Sequence, residues 1–160
     1  PDLLASQVEA LTGFVWSEEE VLLLETDTNG VRTLAGGMDG VSVTAAATHP
    51  NATLLLVQQR LAEAAADFSV TRDAALEPEE RGFFTQVDPG ETPDTAHDAM
   101  VEQVLLLQLR IFGRVVESDG DEVESLLGLW DEVYAIDQDP LQAWKAVVSV
   151  QLRDPDFLFY

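Results

Sequence analysis

No cysteine occurs among the 160 residues of this chain. That excludes disulfides, thiolate zinc sites, a cysteine nucleophile and a covalently attached c-type haem within these residues. It does not bear on compartment, because a domain of this size needs no covalent staple. Cations are nearly as scarce: 8 Lys and Arg stand against 30 Asp and Glu, a formal charge of −22, and Lys145 is the one lysine. Such a surface repels nucleic-acid backbones and anionic lipid, which require clustered basic groups. It suits cations, basic partners and salty water, where a short Debye length softens self-repulsion. Long apolar runs are missing too. The stretch VLLLQLRIF (104–112) is interrupted and far too short to cross a bilayer, so no transmembrane segment is expected. The chain opens on PDLLASQVEA, without Met or a signal-like apolar stretch, as expected of a fragment or processed part of a longer polypeptide.

What is present suffices for a core, since 46% of residues are hydrophobic. Their spacing is helical. Leu3, Leu4, Gln7, Val8 and Leu11 predict a first helix stopped by Gly13. Leu54, Val57, Leu61, Ala64, Ala65 and Phe68 mark one face of a second, with Gln58, Gln59, Arg60 and Glu63 outside. Thr48 or His49 would cap that helix and Pro50 would preorganise its first turn. Residues 77–95 carry four turn formers and read as a loop anchored by Phe83 and Phe84. Residues 97–112 are apolar nearly all round, the pattern of a helix at the centre of a bundle, with Gly113 as its stop. A stripe of Val123, Leu126, Leu127, Trp130, Val133 and Tyr134 follows a cap at Ser118 or Asp119. Asp139 and Pro140 open a last helix with Leu141, Trp144, Val147, Val148 and Leu152 inward. The fold class expected is mainly α: one domain over 1–160, an irregular bundle of about five helices with a Gly-rich loop or short hairpin insertion.

Residues 16–37 are the ambiguous stretch. Ser17 with Glu20 fits a capping box and a short helix over 17–25. Two β-prone runs about Asn29-Gly30 fit a hairpin instead. The helix or an irregular run is preferred, followed by extended chain into AGGMDG (35–40). That loop has neither dinucleotide spacing nor the Lys-Ser/Thr of a nucleotide loop. Gly36, Gly37 and Gly40 are expected to permit positive φ or close packing, while Asp39 ties the loop's own amides.

Metal and catalytic patterns are incomplete. Glu25, Asp27 and Asn29 imitate the opening of a calcium loop, but its twelfth position is Gly36 where a bidentate Glu is needed. ESDGDEVE (117–124) supplies further oxygens, Asp119 and Asp121 among them, although helix capping and the favourable dipole account for Ser118 and Asp119. Glu25, Asp27, Asn29, Asp119 and Asp121 are the candidate calcium ligands. His49 and His97 stand 48 residues apart, neither with a metal-like partner at i+3 or i+4. No nucleophile-elbow pattern supports a triad, and no catalytic residue is assigned. The end of the chain, Phe157, Leu158, Phe159 and Tyr160, is apolar enough to require burial in this domain or against a partner, which makes these the candidate interface residues.

FGRVVESDGDEVESLLGLWDEVYA (112–135), followed by AWKAVVSVQLRDPDFLFY (143–160), resembles a helical domain of unknown function in large secreted, haem-c-associated proteins of Planctomycetes and myxobacteria. RTLAGGMDG (32–40) and NATLLLVQQRLAEAAA (51–66) are similar to the myxobacterial branch. The resemblance implies an extracytoplasmic place in periplasm, outer envelope or medium, with haem c in a neighbouring domain or partner. This chain departs from the haem modules in having no Cys-x-x-Cys-His. The function expected is a non-catalytic interaction or assembly module, its partner another protein or another domain of the same polypeptide. Two alternatives stand beside it: an enzyme fragment in which a histidine, Asp39 and several acids converge, and a calcium-binding module.

Overall fold

The computed structural model describes residues 1–26, 30–47, 49 and 51–158, the last by its backbone alone. Asp27, Asn29, Thr48, Pro50, Phe159, Tyr160 and the side chain of Leu158 lie outside the described residues. The protein is a helical bundle. In chain order the elements are α1 (Asp2–Thr12), β1 (Ser17–Glu18), β2 (Val21–Leu22), α2 (Val31–Leu34), α3 (Ala52–Ala74), α4 (Pro93–Phe112), α5 (Asp121–Asp137), α6 (Pro140–Leu152) and α7 (Pro155–Leu158). Five helices are long; α2 and α7 are single turns.

The helix ends follow local chemistry. Gly13 (φ 72°) and Gly113 (φ 65°) close α1 and α4 in the left-handed conformation that lacks a steric penalty only for glycine. Asp139 caps α6 by accepting from Leu141 N at 2.9 Å, with Pro140 in the first turn. Two expected caps move. Asn51, not Thr48 or His49, caps α3, accepting from Leu54 N at 2.8 Å. Gly120 precedes α5, so Ser118 and Asp119 sit outside it.

Residues 17–25 do not form the preferred short helix. Ser17 pairs with Leu22 and Glu18 with Val21 in an antiparallel hairpin. Its turn falls on Glu19 (φ 50°) and Glu20 (φ 68°), ahead of the Asn29-Gly30 pair. Burial decides this: Leu23 and Leu24 enter the core at 6% and 2% exposure, and Leu23 N donates to Trp16 O at 3.0 Å. Beyond it, Val31–Leu34 makes a helical turn in place of the extended chain expected.

The core forms around α6, which packs on α3, α5 and α4. Small residues on α3 (Ala62, Ala65, Ala66 and Ser69) are fully covered and admit a close neighbour. Trp144 of α6 meets Phe84 edge-on at 5.2 Å and Trp130 of α5 at 6.4 Å. The helix over 97–112 is therefore not the centre expected. It buries Met100, Val104, Leu107 and Ile111 but leaves Leu109 at 49% exposure and Glu102 and Arg110 in solvent. Its predicted start at 97 does coincide with a kink at Ala96 (φ −143°, ψ 33°), after a first turn at Pro93. At the N-terminus Leu4 and Val8 face inward while Leu3 is exposed, and on α3 Phe68 is exposed.

Buried polar groups lock the connections. Gln58, expected outside, is covered and donates to Leu152 O at 3.0 Å and Asp154 O at 3.3 Å, satisfying carbonyls at the end of α6. Asp73 accepts from Phe83 N and Phe84 N, while Gln103 donates to Phe83 O and accepts from Gln86 N, both at 3.1 Å. These bonds hold the aromatic anchor of the 77–92 loop against α3 and α4.

Candidate functional site

Between the start of α4 and the exposed side of α5 runs a cleft of about 570 Å³, within the size range of ligand and peptide sites. Its floor is apolar: Val101 comes from α4, Val123 and Leu127 from α5. Its rim is acidic, with Asp119 from the preceding loop and Glu124 and Asp131 from α5, all exposed. His97 stands at the α4 end. The arrangement follows from helix geometry. Residues 124, 127, 128 and 131 recur at three- and four-residue steps and share one stripe of α5, with Gly120 at its cap. The kink at Ala96 sets where the α4 wall begins.

Gly128 lies within this stripe. Its backbone is not left-handed, and a Cβ added there would meet nothing within 4 Å. A glycine inside a helix is less stable than alanine by roughly 0.5–1 kcal/mol. The fold recovers none of that by close packing; what the missing side chain leaves is depth in the cleft.

The cleft brings together His97, Ser118 and Asp119, one of the two histidines and the two residues expected as caps of α5. Among the described residues no hydrogen bond joins them, so no nucleophile–base–orienter relay is assembled there. Asp39, required by the enzyme alternative, lies in a different place. Its Oδ1 accepts from Val41, Ser42 and Val43 N, each at 2.8 Å, and those amides, Val43's foremost, hold its carboxyl below the usual carboxylate range. The loop is tied by its own aspartate, as the sequence suggested. Gly36 (φ 79°) and Gly40 (φ 75°) take left-handed backbone, and a Cβ on Gly37 would fall 2.8 Å from Arg32 O.

Of the expected calcium ligands, Asp27 and Asn29 lie outside the described residues, and Asp119 and Asp121 do not share a cleft. Among the described residues no group of three or more His, Asp or Glu could hold a metal ion. Asp119 lines the α4–α5 cleft whereas Asp121, two residues on, lines a different one beside Gln108 and Arg114. Glu25 lies beyond the hairpin and lines neither. Phe157, an expected interface residue, is 2% exposed and belongs to this domain's own core.

No protein family, curated protein or solved structure matches this chain. The site has to be read from its own residues. Sequence reasoning placed Val123 and Leu127 on a stripe, and Val101 on a helix apolar nearly all round, without separating the edge that faces the cleft. It overlooked Glu124, Gly128 and Asp131. The available signal was Gly128, a glycine between two leucines in a helix that neither ends nor bends there.

Proposed function

We propose that this chain is a non-catalytic helical interaction module whose α4–α5 cleft docks a basic, amphipathic segment of another protein or of another domain of the same polypeptide. The observation that carries the reading is the pairing of an apolar floor, Val101, Val123 and Leu127, with a carboxylate rim, Asp119, Glu124 and Asp131. An amphipathic segment would bury its oily face on that floor and set Lys or Arg against the rim. The −22 net charge would speed its encounter with such a partner and reject acidic ones. The resemblance to secreted, haem-c-associated proteins supports an extracytoplasmic setting with a cytochrome as neighbour.

The test is fluorescence anisotropy with a labelled amphipathic Lys/Leu peptide. A triple variant, Asp119→Asn, Glu124→Gln and Asp131→Asn, is compared with a control of equal charge change, Glu77→Gln, Glu79→Gln and Glu80→Gln, on an exposed turn away from the cleft. The rim variant should weaken binding by about tenfold or more and the control by much less. Equal weakening by both would mean diffuse attraction to an acidic surface, and the reading would be abandoned.

A further inference from the structure

We infer that the α4–α5 cleft takes an α-helix that sets one large apolar side chain over Gly128, between basic residues about one turn before and one turn after it. The assignment rests on the docking reading of the cleft and adds the partner's conformation and its sequence rule. Glu124, Leu127, Gly128 and Asp131 all line the cleft. Their spacing of i, i+3, i+4 and i+7 makes a four-cornered hole, the kind that receives a side-chain knob from a facing helix.

The corners of that hole differ in chemistry. Glu124 and Asp131 are its two ends, about 10.5 Å apart along the axis at 1.5 Å per residue. Leu127 and Gly128 are its sides. A Cβ built on Gly128 finds nothing within 4 Å, so no neighbouring element of this chain fills the middle. Both end carboxylates are exposed, and neither side chain has a hydrogen-bond or ion-pair partner among the described residues. The hole is therefore open at its centre, apolar on one side and negative at both ends.

That pattern selects its occupant. On a helix lying alongside α5, the neighbours three and four residues from a knob stand about 4.5–6 Å to either side of it. Glu124 and Asp131 are spaced about equally from the hole's centre, so Lys or Arg at those positions meets both. An extended segment gains nothing comparable, because the interior amides and carbonyls of α5 are bonded within the helix and leave no edge to pair with. An acidic helix would meet two like charges. An alanine knob would leave the hole empty, whereas leucine or phenylalanine fills it.

Fluorescence anisotropy with labelled alanine-based helical peptides tests the assignment. Each carries a central knob (alanine, leucine or phenylalanine), with one lysine four residues before it and one three residues after. A register control moves both lysines two positions along the chain, onto the far face, at equal charge and composition. On the parent protein a leucine or phenylalanine knob should bind about tenfold tighter than alanine. The register control should bind about tenfold more weakly than its counterpart. Gly128→Leu should abolish the advantage of the large knob, with Gly128→Ala intermediate; both residues favour helix, and circular dichroism checks that the fold is kept. An unchanged knob preference in Gly128→Leu, or equal binding of the register control, would overturn the assignment. Were the rim variant still to weaken those peptides, the docking reading would survive without it. Failure of every peptide to bind the parent would remove both.

Discussion

Replacing Asp73 should be among the most destabilising single changes in this protein. Its side chain is wholly covered, yet it carries four hydrogen bonds: Oδ2 accepts from Phe83 N at 2.6 Å and Phe84 N at 2.8 Å, and Oδ1 from Arg72 Nε and Nη2 at 2.9 and 2.8 Å. Asp73→Ala would leave two amides without acceptors in the interior, each costing about 1–3 kcal/mol. It would also strand the Arg72 guanidinium, which is partly exposed and keeps its bond to Thr12 O at 2.7 Å, so that share is small. The sum is about 3–5 kcal/mol against a total stability of order 5–15 kcal/mol. At roughly 2–4 °C per kcal/mol for a domain of this length, the melting temperature should fall by about 6–20 °C. Asp73→Asn can still present an oxygen to the two amides while turning its NH2 toward Arg72, and should lose roughly half as much. Urea denaturation followed by tryptophan fluorescence would report both, because Phe84 packs on Trp144. An alanine variant within about 1 kcal/mol of the parent would refute the argument, since the 77–92 loop would then be held by Phe83 and Phe84 packing alone.

Three further outcomes are expected. Gly128→Ala should raise stability by about 0.5–1 kcal/mol in calorimetry while weakening peptide binding, because the methyl group adds helix propensity and fills the cleft floor; a gain in stability with unchanged binding would detach the cleft from function. Glu19→Asn with Glu20→Gly should stabilise by about 1–2 kcal/mol in urea, since both positions hold φ above zero where glutamate is disfavoured; a loss would mean that the hairpin turn lies elsewhere. The carboxyls of Asp2, held down chiefly by the Arg32 hydrogen bond, and of Asp88, held down by Gly90 N and then Arg81, lie below the usual carboxylate range in the folded state. Their stabilisation is thus fully present above the unfolded value and lost as pH falls through the lowered folded one. Asp88→Asn should melt below the parent at about pH 6, with the gap narrowing steadily as the solution is made more acid, and a gap that stays the same size throughout an acid titration would reverse the assignment.

How much of this was legible in the sequence differs by element. The helix of α6 could be read outright: Asp139, Pro140 and the inward stripe from Trp144 to Leu152 are local signals acting over one or two turns. The tie between Asp39 and its own loop was legible for the same reason, the partners lying two to four residues away. The hairpin was not, because Glu19 and Glu20 are poor turn residues and the pairing is imposed by burial of Leu23 and Leu24. The cleft was half visible. Its floor residues obey the helical period, but the period alone cannot tell a side chain that touches a neighbouring helix from one at the edge of the contact.

By itself, then, the sequence determined that the chain would be helical, where α1 and α4 stop, that thiol chemistry is absent, and that the surface is strongly acidic. All of these depend on residue type and on spacings within a few turns. Tertiary packing alone decided that Gln58 is buried 94 residues from its acceptor Leu152, that α6 rather than α4 is the hub, and that Asp119 and Asp121 face different clefts. Those outcomes turn on which faces meet once the loops close, and a buried polar group takes its meaning from a partner that only the folded chain brings near.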